Sequence, residues 1–324
     1  MRWNPVLISG RWSRWLLYVV ALSVSWPLLM KAVNSASPDN GFDLSNSLLP
    51  VEQIFHGGPP RDGIPALTNP RFIPSAEADF LSPDARVMGI ERNGERRAYP
   101  IRILNYHEIV NDRVGGEGVV ISYCPLCGTG MVFSATVAGK ARQFGVSGLL
   151  YNSDVLLYDR GSESLWSQIM GQAISGPLAG TRLHSIPVHH TTWELWQEEG
   201  PSTVLSLDTG YKRDYSSSPY GNYDSSEAIY FPVSARSRQY HPKERVLGIE
   251  LGGEVKAYPF AELAQRKSPL HDTIAGKEVV IHFDAVARSG RIFDATGKEL
   301  SSLNAFWFAW FTFHPQTAIF KAGR

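Results

Sequence analysis

The chain repeats itself, and this limits its fold to an architecture that uses one unit twice. Arg86-Val-Met-Gly-Ile-Glu91 returns as Arg245-Val-Leu-Gly-Ile-Glu250, and Ala98-Tyr99-Pro100 as Ala257-Tyr258-Pro259. Asp112 with Val119-Val120-Ile121-Ser122-Tyr123 returns as Asp272 with Val279-Val280-Ile281-His282-Phe283. Upstream, Ile73-Pro74 matches Phe231-Pro232. Downstream, Trp193-x-x-Trp196 matches Trp307-x-x-Trp310, each followed by a proline and a threonine. The order is kept throughout. One large difference stands out: the first copy holds about 45 extra residues between its cysteine loop and its Trp-x-x-Trp element.

Local signals agree within each copy. Val87–Glu91, Asn93-Gly94 and Arg96–Tyr99 predict two strands joined by an Asn-Gly hairpin, and Gly252-Gly253 fills the same place in the second copy. Pro100 and Pro259 each open a short helix, carrying Ile101, Leu104 and Ile109 in one copy and Phe260, Leu263 and Ala264 in the other. Gly115-Gly116 is expected to end the first of these. Val119–Tyr123 then reads as an apolar strand, followed by strands at Met131–Ser134 and Arg291–Asp294. The Trp-x-x-Trp segments suit helices with both indoles on one face. The expected fold is α+β and strand-dominated: two pseudo-symmetric repeats of a β-rich unit, the first carrying an insertion. Its parts are an N-terminal segment (1–36), an extended lead-in (37–71), the first repeat (72–207), an irregular connection (208–229) and the second repeat (230–324).

The N-terminal segment points to a compartment. Arg2, Arg11 and Arg14 precede an apolar run from Trp15 to Met30, and small residues follow. This is the pattern of a secretory signal peptide. The run is about 16 residues, short of the roughly 20 that span a bilayer, yet Trp12 and Trp15 would suit an uncleaved membrane anchor. Either way the remainder is expected outside the cytoplasm, in the periplasm or beyond. With 31 Lys+Arg against 31 Asp+Glu, the chain lacks the basic footprint of a nucleic-acid binder, so no nucleic-acid partner is expected.

The copies differ where chemistry is expected. Cys124-Pro-Leu-Cys127-Gly128 directly follows the Val119–Tyr123 strand, whereas the second copy has Asp284-Ala-Val-Ala287 there. His107, in the preceding helix, aligns with Arg266 or Lys267 of the second copy, depending on the gap. One copy keeps the scaffold, and the other adds Cys, Cys and His. Three readings fit the pair. Cys124, Cys127 and His107 form a metal site with one open position, copper(I) being favoured by soft sulfur donors and zinc also fitting. The loop alternates between dithiol and disulfide. Or the pair is a static disulfide or an inert buried pair. With two cysteines in all, a second knuckle of the rubredoxin or zinc-ribbon kind is excluded. A thioredoxin-type motif opens a helix, but Gly128-Thr129-Gly130 leads into a strand.

The insertion holds the second set of candidates: Asp154, Asp159, Arg160, Trp166 and Gln168. Read singly, Val155–Leu157 is a strand, Asp159–Ser162 its turn, and the polar residues satisfy backbone groups. Read together, they line a pocket beside the cysteine loop, with Asp154 or Asp159 as a general base or an extra ligand. His189 and His190 are adjacent, so their side chains point apart on a strand. His282 is expected as a satisfied core residue. No Gly-rich phosphate loop, Gly-x-Ser-x-Gly or His-Glu-x-x-His occurs, so hydrolase and nucleotide-binding classes lose their usual support.

Several of these motifs together resemble a known family. His107-Glu-Ile-Val-Asn-Asp112, Tyr123-Cys-Pro-Leu-Cys-Gly-Thr129, Phe144-Gly-Val-Ser-Gly148, Tyr158-Asp-Arg160, Ser164-Leu-Trp-Ser-Gln168 and Gly176-Pro-Leu-Ala-Gly180 are similar to the pattern of the bacterial and archaeal family DUF3179. The resemblance runs from about residue 72 to the C-terminus. It implies that the cysteines, His107, Asp159-Arg160 and Trp166 are motif residues, and it supplies no substrate, cofactor or reaction. Three functions therefore stay open: an exported metal-binding protein, an extracytoplasmic thiol–disulfide oxidoreductase, and a non-catalytic ligand-binding module with a structural disulfide.

Overall fold

A computed structural model describes residues 39–323; the segment read as a signal or anchor, residues 1–36, lies outside the described residues. Among the described residues no helix is long and apolar enough to cross a membrane. The first segment opens with β1 (Arg86–Arg92) and β2 (Glu95–Pro100). Asn93 and Gly94 join them at φ 49° and 80°, the two positive values a tight hairpin turn demands. Pro100 caps α1 (Ile101–His107), after which come β3 (Ile109–Val114), β4 (Glu117–Cys124) and β5 (Thr129–Ser134). Here the structure corrects the sequence reading. Ile109 opens a strand instead of lengthening the helix, and Gly115-Gly116 turns the β3–β4 hairpin. Glu108, at φ 56°, breaks the helix, and the β-branched Ile109-Val110 pair favours the extended chain that follows.

The insertion is a sheet of its own. Strands β6 (Phe144–Tyr151), β7 (Asp154–Asp159), β8 (Leu165–Ser167) and β9 (Gln172–Ser175) lie in that order, and Ile54–His56 from the lead-in adds to the edge of β6. The chain then returns through β10 (His189–Thr192), α2 (Trp193–Glu198) and β11 (Thr203–Leu205). Strand β10 pairs antiparallel with β1, and β11 pairs parallel with β2.

The second segment builds β12 (Arg245–Leu251), β13 (Glu254–Pro259), α3 (Phe260–Leu263), β14 (Leu270–Ile274), β15 (Lys277–Asp284) and β16 (Ser289–Asp294). It closes with β17 (Leu303–Phe306), α4 (Trp307–Phe313) and β18 (Ala318–Ile319). Its pairings have the same directions: β17 antiparallel to β12, and β18 parallel to β13. Gly89 faces Ala98 across the first hairpin, and Gly248 faces Ala257 across the second. Both glycines are needed for the same reason. A Cβ on Gly89 would stand 2.2 Å from the Trp196 ring, and one on Gly248 would stand 2.3 Å from Trp310. The Tyr99 hydroxyl donates to Asp112 at 2.7 Å, and the Tyr258 hydroxyl donates to Asp272 at 2.7 Å.

The segments are tied to each other by backbone. Asn304 of β17 lies opposite Gly130 of β5, which joins β3-β4-β5 to β17-β12-β13-β18; with the short strands Leu67–Thr68 beside β3 and Ser185–Ile186 beside β5, this makes one nine-stranded sheet. Arg86 donates to the carbonyls of Ala287 and Arg288, in the β15–β16 loop. Its counterpart Arg245 donates to Gly128 O at 3.4 Å, in the β4–β5 loop. Each segment thus holds the loop of the other. The largest apolar cluster gathers Cys124, Cys127, Phe144, Trp166, Phe306 and Trp307, so the cysteine loop sits where insertion and second segment meet.

Candidate metal centre

Cys124 ends β4 and pairs with Thr129 at the start of β5, so Cys-Pro-Leu-Cys-Gly is a hairpin loop whose two cysteines are brought to one side. Gly128 has φ 59°, and a Cβ there would meet the Phe306 ring at 2.9 Å, so no other residue fits without displacement. The Phe306 N–H donates to Cys127 O at 2.8 Å and fixes the loop from the second segment. Gln168 fixes it from below. Its amide nitrogen donates to Ser122 Oγ at 2.9 Å, and its oxygen accepts from Thr129 Oγ1 at 2.5 Å, bridging the strands on either side of the loop.

The third element is the tip of the β6–β7 hairpin. Asn152 and Ser153 turn it with φ 53° and 66°; serine is strained there, and Ser153 is fully buried. This tip points the Ser153 carbonyl at the thiols, 3.3 Å from Cys127 Sγ and 3.9 Å from Cys124 Sγ. Asp154 follows. Its carboxylate and the two sulfurs all lie within 4.8 Å of one another, and all three residues are buried. Asp154 Oδ2 accepts from the Ile169 N–H at 3.1 Å, while Oδ1 is buried with no hydrogen bond of good geometry.

Burial dominates the electrostatics. It pushes the Asp154 carboxyl up to about 8, against the smaller downward pull of backbone N–H groups and the thiols. Burial likewise drives the Cys127 thiol well above its ordinary range, and the neighbouring Cys124 and Asp154 add to the effect. Asp154 and Cys127 share a dry site, and burial disfavours the charged form of both. Lys243, 5% exposed, holds its Nζ 3.8 Å from the Tyr223 ring centroid. Burial lowers it to about 8, and the charge of Cys127 pulls it back up. It is already committed to the Ser226 and Ala228 carbonyls.

The group of two thiols and a carboxylate can hold a metal ion, and its third member is Asp154. His107 does not belong to that group. Its Nδ1 lies 2.8 Å from Pro65 O and its Nε2 lies 2.6 Å from the Tyr215 hydroxyl, so both ring nitrogens are engaged elsewhere. Asp159 and Arg160 of the insertion have partners of their own. Asp159 accepts from Arg142 at 2.8 Å, from Trp166 Nε1 at 3.1 Å and from Ser162, so it ties the β7–β8 turn. Arg160 pairs with Asp62 at 2.8 Å. His189 and His190 contact Ser289 Oγ and Gly130 O respectively, pointing apart as adjacent strand residues do. His282, expected in the core, is exposed.

Three residues near the site carry no sequence signal of their own. Lys243 and Tyr223 reach it from the connection and its flank, and Glu108 lies in a motif whose histidine draws attention instead. Neither curated proteins nor solved structures give a match. A family model described as a protein of unknown function matches residues 61–317, which is most of the chain. The chain belongs to the DUF3179 family.

Proposed function

We propose that this is an exported protein that binds one transition-metal ion through Cys124, Cys127 and Asp154, with a fourth position for a further donor. The observation that carries it is the convergence of two buried thiols and a buried carboxylate from two separate hairpins, with Asp154 Oδ1 left without a hydrogen bond of good geometry. Such a set is costly to bury unless a cation neutralises it. Two thiolates are soft donors and favour copper(I) or zinc; the carboxylate shifts the balance toward zinc, which accepts mixed sulfur and oxygen ligands. Export rests on the N-terminal signal or anchor pattern, and in the periplasm an ion would also shield the vicinal thiols from oxidation.

A redox role is the second reading, and it draws on both cysteines being unbridged beside a carboxyl able to take a proton. Their burial, 2% and 0% exposed, argues against exchange with a protein partner. The two readings separate in one experiment. The exported portion is purified without chelators or affinity metals, and its metal content and free thiols are measured beside Cys124→Ser and Asp154→Ala variants. We expect near one equivalent of zinc or copper in the parent and none in Cys124→Ser. A metal-free parent that takes up neither ion under anaerobic loading, with the cysteines in a disulfide, would overturn the proposal in favour of the redox reading.

A further inference from the structure

Beside the cysteine loop lies a cavity of about 450 Å³ that the metal group does not use. Its wall is apolar: Ile64, Leu126, Val146, Leu150, Val155 and Phe231. Leu126 belongs to the cysteine loop and Val155 follows Asp154, so the cavity shares its wall with both halves of the metal group. Pro219 and the 59%-exposed Tyr230 stand at its outer end, where the irregular connection passes over it.

Into this wall projects one carboxyl. Glu108 is 6% exposed and forms no ion pair among the described residues. The Tyr220 hydroxyl donates to its Oε1 at 3.1 Å, and no second hydrogen bond among the described residues reaches Oε2. The backbone that aims it is strained, with φ 56° and ψ −32° at the C-terminal cap of α1, where glycine is the ordinary choice. Conformations of this kind cost about 1–3 kcal/mol and persist where the surroundings enforce them. A buried carboxyl with a spare acceptor oxygen, placed at strain in an otherwise apolar cavity, has the makings of a ligand site: a large apolar wall for affinity and one polar group for orientation.

We propose that this cavity binds a compact apolar molecule carrying one hydroxyl head, which donates its hydrogen to Glu108 Oε2 while the body packs against Leu126, Val146, Leu150 and Phe231. The aromatic rings of Tyr220 and Phe231 suit a flat phenol-like body. The ionised carboxyl accepts through its second oxygen; once protonated, with Oε1 taken by Tyr220, that oxygen becomes a donor, so the contact belongs to the ionised form and is tested above the value of about 7 to which burial raises this carboxyl. The site is independent of the metal reading, because neither Glu108 nor the apolar wall supplies a ligand to the ion.

The test is a titration of the folded exported portion with 2-naphthol and, in parallel, with 2-methoxynaphthalene, which has the same body but no donor. We expect 2-naphthol to bind at least about ten-fold more tightly, the equivalent of one hydrogen bond to a buried carboxyl. Glu108→Gln is expected to shrink that ratio while leaving the metal content at the parent level, and Val146→Phe to weaken both ligands by filling the space. Cys124→Ser is expected to keep the preference. Equal affinities for the two ligands, or no binding of 2-naphthol to the parent, would overturn the proposal. The parent's own ratio decides, even if a variant fails to fold.

Discussion

The loop at 124–129 and the loop at 284–289 are alike in how they are closed and held. Each closes between paired residues, Cys124 with Thr129 and Asp284 with Ser289, and each is gripped at its carbonyls by an arginine from the other segment. Their side chains meet opposite surroundings. Leu126 is 8% exposed and its counterpart Val286 is 94% exposed. In the second loop Asp284 Oδ1 simply accepts the Ala287 N–H at 2.7 Å, a local turn contact. The hairpin geometry is therefore not what makes a site. The cover is: the insertion delivers Asp154 and Ser153 onto the first loop, the connection lays Tyr223 over it, and the second loop has neither.

That contrast can be broken most severely by transplanting the cysteines. An Asp284→Cys/Ala287→Cys double variant is expected to gain no second stoichiometric ion, since no carboxylate is delivered to that loop; a second equivalent in elemental analysis would show that the loop alone suffices. Burial can be tested next. Leu126→Asp should cost about 3 kcal/mol or more of folding stability, because it places an unpaired charge in the core. Val286→Asp should stay within about 0.5 kcal/mol, as exposed positions do. Urea unfolding of the two variants checks the difference, and equal losses would mean that the first loop is not covered as described.

The remaining effect is one of slope. Asp154 in the folded chain keeps its proton up to about 8, against the ordinary 3.8 of a solvated aspartate. Between those values the unfolded chain is ionised while the folded one still binds the proton. Without metal, this group's stabilising contribution is complete at low pH and is lost as pH rises, by up to about 1.4 kcal/mol per unit. Asp154→Asn should flatten that decline, and bound metal should reverse it, since the ion favours the deprotonated ligands. A parallel decline in parent and variant, measured by unfolding across pH 5–8, would mean that Asp154 does not hold its proton in the folded chain.

Much of the architecture is legible without coordinates, because it rests on short-range rules. The Asn93-Gly94 turn, the helices opened by Pro100 and Pro259, and the paired indoles of Trp193 and Trp196 each follow from a few adjacent residues. The strands at Ile109–Val114 and Leu270–Ile274 do not, since apolar residues after a proline-opened turn read equally well as more helix. The site shows the same division. Cys124 and Cys127 announce themselves by spacing, and Asp154 stands among the insertion candidates. His107 is misleading: it shares a motif-rich stretch with the cysteines, but its ring nitrogens are satisfied by Pro65 and Tyr215 across a long sequence gap. Lys243, Tyr223 and Glu108 matter only through contacts that no periodicity encodes.

The exchange of arginines between segments reaches further than packing. The loop that carries two of the proposed ligands takes its backbone clamp from Arg245 and Phe306, both on the ligand-free side of the molecule. Cutting the chain in the connection would leave the sulfur loop with its donors but without the hands that hold it, and would leave Arg86 reaching for a loop no longer there. The second segment is thus the jig in which the cysteine loop of the first is set.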